Sequence, residues 1–270
     1  MDVGMQSLGE GEVVVFLHGF FGDGEDFRGV AEGLGEEGWR AVLLELPGHG
    51  ASPFCAERWE EEPGTGIEKM GRAVEAQLGA EGVEGGHLVG YSMGGRVALW
   101  LALRGELTWR SLTVVSGSPG ISEAEERRAR AALDRGRAEA IRARGLGSFL
   151  EDWYQLDLFA GLRRREGFKE TLRRRSGQDA EAMATLIEAM SPGNQEDLWP
   201  RLKDLAMPTL WVAGEEDGKY VEMLARAAAQ TPTGELTVLE GVGHSVHLEQ
   251  PVEFSRRLRR FLTSGQIPRP

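Results

Sequence analysis

The sequence predicts an α/β protein with a mostly parallel sheet flanked by helices. Three observations favour this class: short apolar runs alternate with longer helical patterns, the runs are apolar on nearly every residue, and they end in Gly, Pro or Ser. Central parallel strands have these properties because both of their faces are covered by helices. A chain of 270 residues has room for one large α/β domain that carries an insertion.

Six runs are predicted as strands, and helices fill the gaps between them. The predicted strands are 13–17, 40–45, 87–91, 112–116, 209–213 and 235–239. Two helical segments show an apolar stripe at helical spacing. These stripes are Met183, Leu186, Ile187 and Met190 in the first segment, and Phe254, Leu258, Phe261 and Leu262 in the second. We expect both stripes to face the core.

The alternation lapses between residues 117 and 206, where the pattern is helical or irregular. We therefore predict a core of residues 1–117 and 206–270 and a helical cap of residues 118–205, inserted after the sixth core strand region. Residues 120–178 contain 14 Lys and Arg against 10 Asp and Glu, a balance of +4 in a chain of net charge −12. A local excess of guanidinium groups suits an anionic small molecule, although Arg is mostly exposed in any protein.

Composition excludes several classes of protein. The net charge of −12 argues against a nucleic-acid or acidic-membrane partner. Cys55 is the only cysteine, so neither an internal disulfide nor a cysteine-based metal cage can form. The longest apolar run, 97–103, has seven residues, whereas a membrane-spanning helix needs about 20. No signal peptide is recognisable near the start, so we expect a cytoplasmic protein.

The strongest chemical signal is Gly90-Tyr91-Ser92-Met93-Gly94-Gly95, which follows a predicted strand and precedes a predicted helix. In a Gly-x-Ser-x-Gly turn, the small flanking residues let the backbone make a sharp corner that holds the serine oxygen at a helix N-terminus. Ser92 is therefore the candidate nucleophile or base.

Serine needs a base, and the base needs an acid that orients it. His244 follows the last predicted strand, at the sheet edge where open α/β proteins place their sites. Asp217 follows the strand before it, with Glu215 and Glu216 as competing acids. We assign His18 to loop stabilisation, and we regard His49, His87 and His247 as satisfied polar groups. An oxyanion would then meet the backbone N–H groups of Phe20 and Met93.

These motifs resemble the α/β-hydrolase superfamily across nearly the whole chain. The residues that carry the resemblance are His18-Gly19-Phe20, Leu46-Pro47-Gly48-His49-Gly50, the Ser92 turn, Gly214-Glu215-Glu216-Asp217 and Gly243-His244. A closer resemblance, which reaches into the cap, is to the 2-succinyl-6-hydroxy-2,4-cyclohexadiene-1-carboxylate synthases of menaquinone biosynthesis. It rests on Ser118-Pro119-Gly120-Ile121, Trp153-Tyr154-Gln155, Arg175-Ser176 and the segments 214–220 and 243–249.

The closer resemblance implies a lyase that eliminates pyruvate from 2-succinyl-5-enolpyruvyl-6-hydroxy-3-cyclohexene-1-carboxylate, a small tricarboxylate. The matching substrate-binding positions are Tyr91, Arg96, Arg127, Trp153, Phe159, Arg175 and Lys219. Arg128 and Arg174 are alternatives to Arg127 and Arg175, because the register of the arginine-rich runs is open by one residue. His244, oriented by Asp217, would draw the proton from Ser92, whose oxygen takes the substrate proton. This chemistry requires no metal and no organic cofactor.

Two other functions remain open at this point. A serine hydrolase acting on a small ester or thioester would use the same three residues to form an acyl-enzyme. A catalytically silent binding protein of the same fold has no physical need for all three groups at strand ends, so the sequence argues against it.

Overall fold

The strands form one seven-stranded sheet in a computed structural model that describes residues 3–264. The strand order is β1-β3-β2-β4-β5-β6-β7, and every neighbouring pair is parallel except β1 with β3. The strands are β1 (Gly4–Leu8), β2 (Glu12–Leu17), β3 (Trp39–Glu45), β4 (Gly85–Tyr91), β5 (Thr108–Val115), β6 (Thr209–Gly214) and β7 (Gly234–Leu239). The predicted class, a mostly parallel sheet flanked by helices, is confirmed.

All six predicted strands are present, and β1 is an additional one. β1 is the antiparallel edge strand, and its residues are exposed or half-buried. An edge strand meets solvent and is not apolar throughout, so the continuous apolar runs that reveal central strands do not reveal β1.

Twelve α-helices accompany the sheet in the described part of the chain. They are α1 (Arg28–Gly35), α2 (Ala56–Glu61), α3 (Gly66–Ala80), α4 (Met93–Arg104), α5 (Ala124–Arg144), α6 (Leu146–Trp153), α7 (Ala160–Arg163), α8 (Phe168–Ser176), α9 (Ala180–Ala189), α10 (Gly218–Gln230), α11 (Val246–Glu249) and α12 (Pro251–Ser264). Short 3₁₀ helices occupy Gly24–Phe27, Asp157–Phe159 and Trp199–Asp204.

The helices bury both faces of the sheet. α3, α4 and α10 contribute to one apolar cluster, and α1 and α12 contribute to the cluster on the opposite face. Both stripes predicted at helical spacing are buried. No helix within residues 3–264 is long and apolar enough to cross a membrane.

Only helices and irregular segments lie between β5 and β6, from α5 to the 3₁₀ helix Trp199–Asp204. They follow the fifth strand along the chain, so the predicted insertion after a sixth core strand region is wrong in its count. Five strands, β1 to β5, precede the insertion, and this count already includes the edge strand β1, which was not predicted. The division into a core and a cap of residues 118–205 stays a prediction, and we refer to the helices α5–α9 as the cap helices.

Strand register brings distant segments to one edge of the sheet. Tyr91 at the end of β4 pairs with Val115 at the end of β5, and Gly214 of β6 pairs with Leu239 of β7. The loops that leave these carboxyl ends therefore meet above the sheet, as open α/β sheets require of a ligand site.

Candidate active site

Ser92 occupies a strained turn between β4 and α4. Its φ of 50° and ψ of −107° lie in a region that non-glycine residues rarely adopt. Glycine is required nearby: a β-carbon at Gly90 would overlap the carbonyl oxygen of Gly94, and one at Gly94 would overlap the carbonyl oxygen of Leu17. The Ser92 N–H donates to the carbonyl oxygen of Val115 at 2.8 Å, which ties the turn to β5. Ser92 itself remains half-buried and accessible.

Ser92, His244 and Asp217 form one hydrogen-bonded chain. His244 Nε2 lies 3.1 Å from Ser92 Oγ, and His244 Nδ1 lies 2.7 Å from Asp217 Oδ2. Both His244 and Asp217 are buried. A carboxylate that accepts from Nδ1–H leaves Nε2 free to accept the serine proton, so the arrangement supports proton abstraction at Ser92.

The two competing acids are directed elsewhere. The Glu215 carboxylate accepts a hydrogen bond from the N–H of Gly241 at 3.0 Å, and the Glu216 carboxylate pairs with Arg164 at 2.9 Å on the surface. Only Asp217, at the start of α10, reaches the imidazole of His244. The alternative that the sequence left open is thereby resolved in favour of Asp217.

The other four histidines lie outside this chain. His18 Nδ1 donates to the carbonyl oxygen of Gly19 at 2.8 Å, and its Nε2 accepts from the N–H of Leu46 at 3.0 Å. This pairing fixes the loop after β2, as predicted. His49 and His247 are fully buried, and burial lowers the pKa of each to about 3. They are less satisfied than expected, since His49 Nε2 and both ring nitrogens of His247 have no hydrogen-bond partner within the described chain.

Phe20 and Met93, whose N–H groups are the predicted oxyanion hole, both lie beside Ser92. Met93 is the first residue of α4, where backbone N–H groups have no intrahelical acceptor. Phe20 follows the end of β2, and both residues line the cavity beside Ser92. A role for these two N–H groups in binding an oxyanion stays a prediction.

A cavity of about 80 Å³ opens beside Ser92. Its wall combines aromatic and aliphatic side chains with two guanidinium groups. The lining residues are Phe20, Ser92, Met93, Arg96, Arg130, Asp134, Trp153, Ile187, Met190, Pro192 and Tyr220. The sheet supplies the reactive groups, and the cap helices supply most of the opposite wall.

Arg96 and Arg130 place two guanidinium groups in the wall of this cavity, and Asp134 places one carboxylate there, which leaves a formal excess of one positive charge. Arg96 is buried, and its Nη1 donates to Gln195 Oε1 at 3.0 Å. Burial, together with the charge of Arg130, lowers the pKa of Arg96 to about 10. Arg130 Nε lies 2.7 Å from Asp134 Oδ2. This excess of positive charge suits an anionic ligand, since a carboxylate can accept hydrogen bonds from a guanidinium group.

The predicted arginines are only partly brought together. Arg96 lines the cavity. Within residues 3–264, neither Arg127 nor its alternative Arg128 is among the lining residues. Arg130, one helical turn after Arg127 on α5, does line the cavity, and a substrate-binding role for Arg127 stays a prediction. Spacing of three residues puts both on one helix face, and this was the signal that could have identified Arg130.

Arg175 is held in a buried ion pair, and its predicted role as a substrate ligand stays a prediction. Its Nη2 lies 2.5 Å from Asp26 Oδ2, and its Nη1 donates to the hydroxyl of Tyr154. Burial is the largest single effect and would lower the pKa of Arg175, but the charges and hydrogen bonds of Asp26 and Tyr154 together raise it. The neighbouring Arg174 pairs with Asp23 at 2.5 Å and with Asp26 at 3.0 Å. Both arginines therefore fasten α8 to the loop after β2.

Of the remaining predicted ligands, only Trp153 lines the cavity. The hydroxyl of Tyr91 is paired with Ser245 Oγ at 2.8 Å, and Phe159 sets its ring edge-on to His244 with centroids 6.1 Å apart. Lys219 lines a different cavity beside Trp199. A role in substrate binding for Tyr91, Phe159 and Lys219 stays a prediction.

Tyr220 lies beside the catalytic chain. Its ring centroid is 4.7 Å from that of His244, and it lines the cavity. Tyr220 lies in the first turn of α10, which begins at Gly218 directly after Asp217, so its ring stays close to the residues that Asp217 contacts.

Comparisons with known proteins agree with this architecture. The family described as alpha/beta hydrolase fold matches residues 12–251. The 2-succinyl-6-hydroxy-2,4-cyclohexadiene-1-carboxylate synthase of Serratia proteamaculans is 32% identical over 254 residues, which cover 93% of this chain and 93% of that protein. The chloroplastic protein PHYLLO of Arabidopsis thaliana is 34% identical over 97% of this chain, but the chain spans only 16% of PHYLLO.

Two solved structures share the fold over almost the whole chain. MenH from S. aureus has a TM-score of 0.90 and 29% sequence identity, covering 97% of this chain and 99% of that one. A thermophilic esterase from Thermogutta terrifontis has a TM-score of 0.84 at 24% identity, covering 98% of this chain and 94% of that one, which shows a shared fold alone. The chain belongs to the alpha/beta hydrolase fold family and, within it, to the 2-succinyl-6-hydroxy-2,4-cyclohexadiene-1-carboxylate synthases.

Proposed function

We propose that this protein is a lyase that converts 2-succinyl-5-enolpyruvyl-6-hydroxy-3-cyclohexene-1-carboxylate into 2-succinyl-6-hydroxy-2,4-cyclohexadiene-1-carboxylate and pyruvate. One observation carries the proposal: the Ser92–His244–Asp217 chain opens into a cavity that two arginines line. Identities of 32% and 33% to full-length synthases support the same reaction.

The proposed first step is removal of the ring proton next to the succinyl ketone. Ser92 Oγ gives its own proton to His244 Nε2 and takes the substrate proton, while Asp217 stabilises the imidazolium through Nδ1–H. General-base catalysis of this kind contributes typically about 10² to 10⁴-fold in rate. The enolate oxygen would be held by the N–H groups of Phe20 and Met93.

Elimination then follows without a covalent intermediate. The enolate electrons move through the ring double bond, the bond to the enolpyruvyl oxygen breaks, and enolpyruvate leaves. The proton held by the His244 imidazolium is returned to the methylene carbon of enolpyruvate, which gives pyruvate and restores neutral His244. Atoms and charges therefore balance with no external oxidant or reductant.

Arg96 and Arg130 are the proposed carboxylate ligands. A guanidinium group can donate two parallel hydrogen bonds to a planar carboxylate, which an ammonium group cannot match. The apolar wall from Trp153, Ile187 and Met190 would cover the ring of the substrate. A small anionic substrate thus fits both the charge and the lining of the cavity.

The division of the chain and its location are part of this proposal. We propose that residues 118–205 act as a cap over a core of residues 1–117 and 206–270, because the cap helices line the wall opposite Ser92. We also propose a cytoplasmic location, supported by the similarity to bacterial 2-succinyl-6-hydroxy-2,4-cyclohexadiene-1-carboxylate synthases.

A serine hydrolase of small anionic esters is the second candidate. The intact hydrogen-bonded chain from Ser92 to Asp217 favours it, since this arrangement also serves acyl transfer. Ester hydrolysis would proceed through an acyl-Ser92 intermediate, which the lyase reaction does not need.

One experiment separates the two functions. The purified protein is mixed with the enolpyruvyl substrate, and pyruvate release is followed by coupling to lactate dehydrogenase. A second sample is assayed with p-nitrophenyl esters, and a third is tested for labelling by a fluorophosphonate. Rapid pyruvate release with slow ester turnover supports the lyase. Burst kinetics on esters without pyruvate release would instead establish the hydrolase.

A further inference from the structure

His244 lies on the loop between β7 and α11, and a single carboxylate holds the peptide groups on both sides of it. The N–H of Gly243 donates to Glu249 Oε2 at 2.9 Å, and the N–H of Ser245 donates to Glu249 Oε1 at 3.1 Å. Hydrogen bonds to an ionised carboxylate are roughly twice as strong as those between neutral groups. The two oxygens of Glu249 therefore bracket His244.

A third contact fixes the carbonyl group of the same residue. Ser116 Oγ donates to the carbonyl oxygen of His244 at 2.9 Å. Ser116 follows β5 and has a positive φ of 48°. Its hydroxyl therefore belongs to a tight backbone turn at the end of that strand. With Glu249 and Ser116 in place, the backbone before, at and after His244 is anchored.

We propose that Glu249 is a positioning residue, which keeps the His244 imidazole in reach of both Ser92 and Asp217. This inference deepens the proposed function and rests on it, because it assumes that His244 accepts the serine proton. A displacement of about 1 Å in a catalytic group can cost about 10²-fold in rate. A loop histidine without such an anchor would lose the 3.1 Å approach to Ser92 Oγ.

Residues of the insertion between β5 and β6 contact His244 and Glu249 from the opposite side of the loop. The N–H of His244 faces the carbonyl oxygen of Leu158 at 3.4 Å. Gly161, in α7, sits directly against the Glu249 carboxylate, so that a β-carbon at Gly161 would overlap Oε2. The overlapping atom is the end of a flexible side chain, and substitution at Gly161 would therefore move the carboxylate instead of the backbone.

Substitution of Glu249 tests the proposal directly. We expect Glu249→Ala to lower kcat for pyruvate release about 10- to 100-fold while KM changes less than about twofold, because the substrate cavity is untouched. Glu249→Gln keeps one oxygen acceptor and should recover part of kcat. Glu240→Ala, an exposed glutamate in the same loop, is the matched control and should leave kcat unchanged.

Substitution of Gly161 perturbs the anchor from a different element. Gly161→Ala should lower kcat in the same direction as Glu249→Ala, and the double variant should be no slower than Glu249→Ala alone, since both changes act on one carboxylate. Gly136→Ala is the control in α5, where a β-carbon would meet nothing within 4 Å. Independent, additive losses from Gly161→Ala and Glu249→Ala would overturn the proposal.

A spectroscopic readout separates positioning from loss of folding and from failure of the proposed function. The Nδ1–H proton of His244, hydrogen-bonded to Asp217, gives a low-field proton signal that needs no substrate. In Glu249→Ala we expect this signal to shift or broaden at a temperature where circular dichroism shows the variant folded, and to recover in Glu249→Gln. An unchanged signal together with unchanged kcat would refute the role of Glu249. A wild-type protein that releases no pyruvate refutes the lyase assignment, and the signal still decides whether Glu249 positions His244.

Discussion

The Gly90–Gly95 turn shows most clearly how residue choice sets the site. Gly94 lies where α4 passes the end of β2, and any β-carbon there would overlap backbone atoms of Leu17 and His18. Because neither neighbour is the end of a flexible side chain, the turn can form only with glycine. The close backbone packing around Gly94 therefore helps to maintain the strained φ of Ser92.

Gly94→Ala should destabilise the protein by about 1–3 kcal/mol or more, since the new methyl group must displace backbone. Gly79→Ala, in α3 with nothing within 4 Å of the added carbon, should instead stabilise it by about 0.5–1 kcal/mol through helix propensity. Urea denaturation of both variants measures the difference. A Gly94→Ala protein as stable as the wild type would contradict the described packing.

On α5, Arg130 lines the cavity and Arg127 does not, so these two arginines form a matched pair for substitution. Arg130→Ala should lower kcat/KM by a factor that corresponds to about 1.5–3 kcal/mol for a lost charged hydrogen bond. Arg127→Ala should change kcat/KM little. Steady-state pyruvate release from both variants decides between them, and the reverse ranking would restore the assignment made from sequence.

At the scale of elements, α8 is fastened to the core through buried charge. Arg175 reaches Asp26, which lies 149 residues away in sequence, and Arg174 reaches Asp23 and the same Asp26. Burial is the largest single effect and would raise the pKa of Asp26, but the charge and the hydrogen bond of Arg175 act against it, and the net effect lowers that pKa below its usual value. Asp26 therefore stays ionised at neutral pH.

Asp26→Asn should cost about 3–5 kcal/mol of stability at neutral pH, because it leaves a buried guanidinium group without its counter-charge. A lowered folded-state pKa gives stability that is present above the unfolded pKa of about 3.9 and is lost as pH falls through the folded value. The gap between wild type and Asp26→Asn should therefore be constant from about pH 7 to pH 5 and narrow below about pH 4.

Urea titrations of both proteins across this pH range test the assignment. Asp152→Asn, which removes an exposed partner of Arg144, is the control and should cost less than about 1 kcal/mol at any pH in the range. A gap that widens on acidification would show that Asp26 is not held ionised by Arg175.

These elements also show what sequence can and cannot predict. Ser92 and Asp217 follow the buried strands β4 and β6, and His244 follows the edge strand β7. Parallel strands end at one edge of the sheet, so these local patterns suffice to predict the catalytic chain. The partner of Arg175 could not be predicted, because counting arginines in the cap does not reveal which carboxylate they meet. The anchoring role of Glu249 depends on a loop conformation that no periodicity encodes, and β1 lacks the apolar run of a central strand.

At the scale of the whole molecule, topology concentrates the chemistry. Four parallel strands, β4 to β7, deliver Ser92, Ser116, Asp217 and His244 to one edge, and the cap helices bring Arg130 and Trp153 over them. Neither layer alone contains both a proton acceptor and a set of carboxylate ligands. The proposed lyase activity is therefore a property of the two layers together.

The most direct test is single-turnover pyruvate release by the wild type and by Ser92→Ala, with the folded state of each checked by circular dichroism. Proton abstraction through Ser92 predicts a loss of at least about 10²-fold in the variant, the low end for a removed general base. A Ser92→Ala protein that releases pyruvate at the wild-type rate would contradict the account.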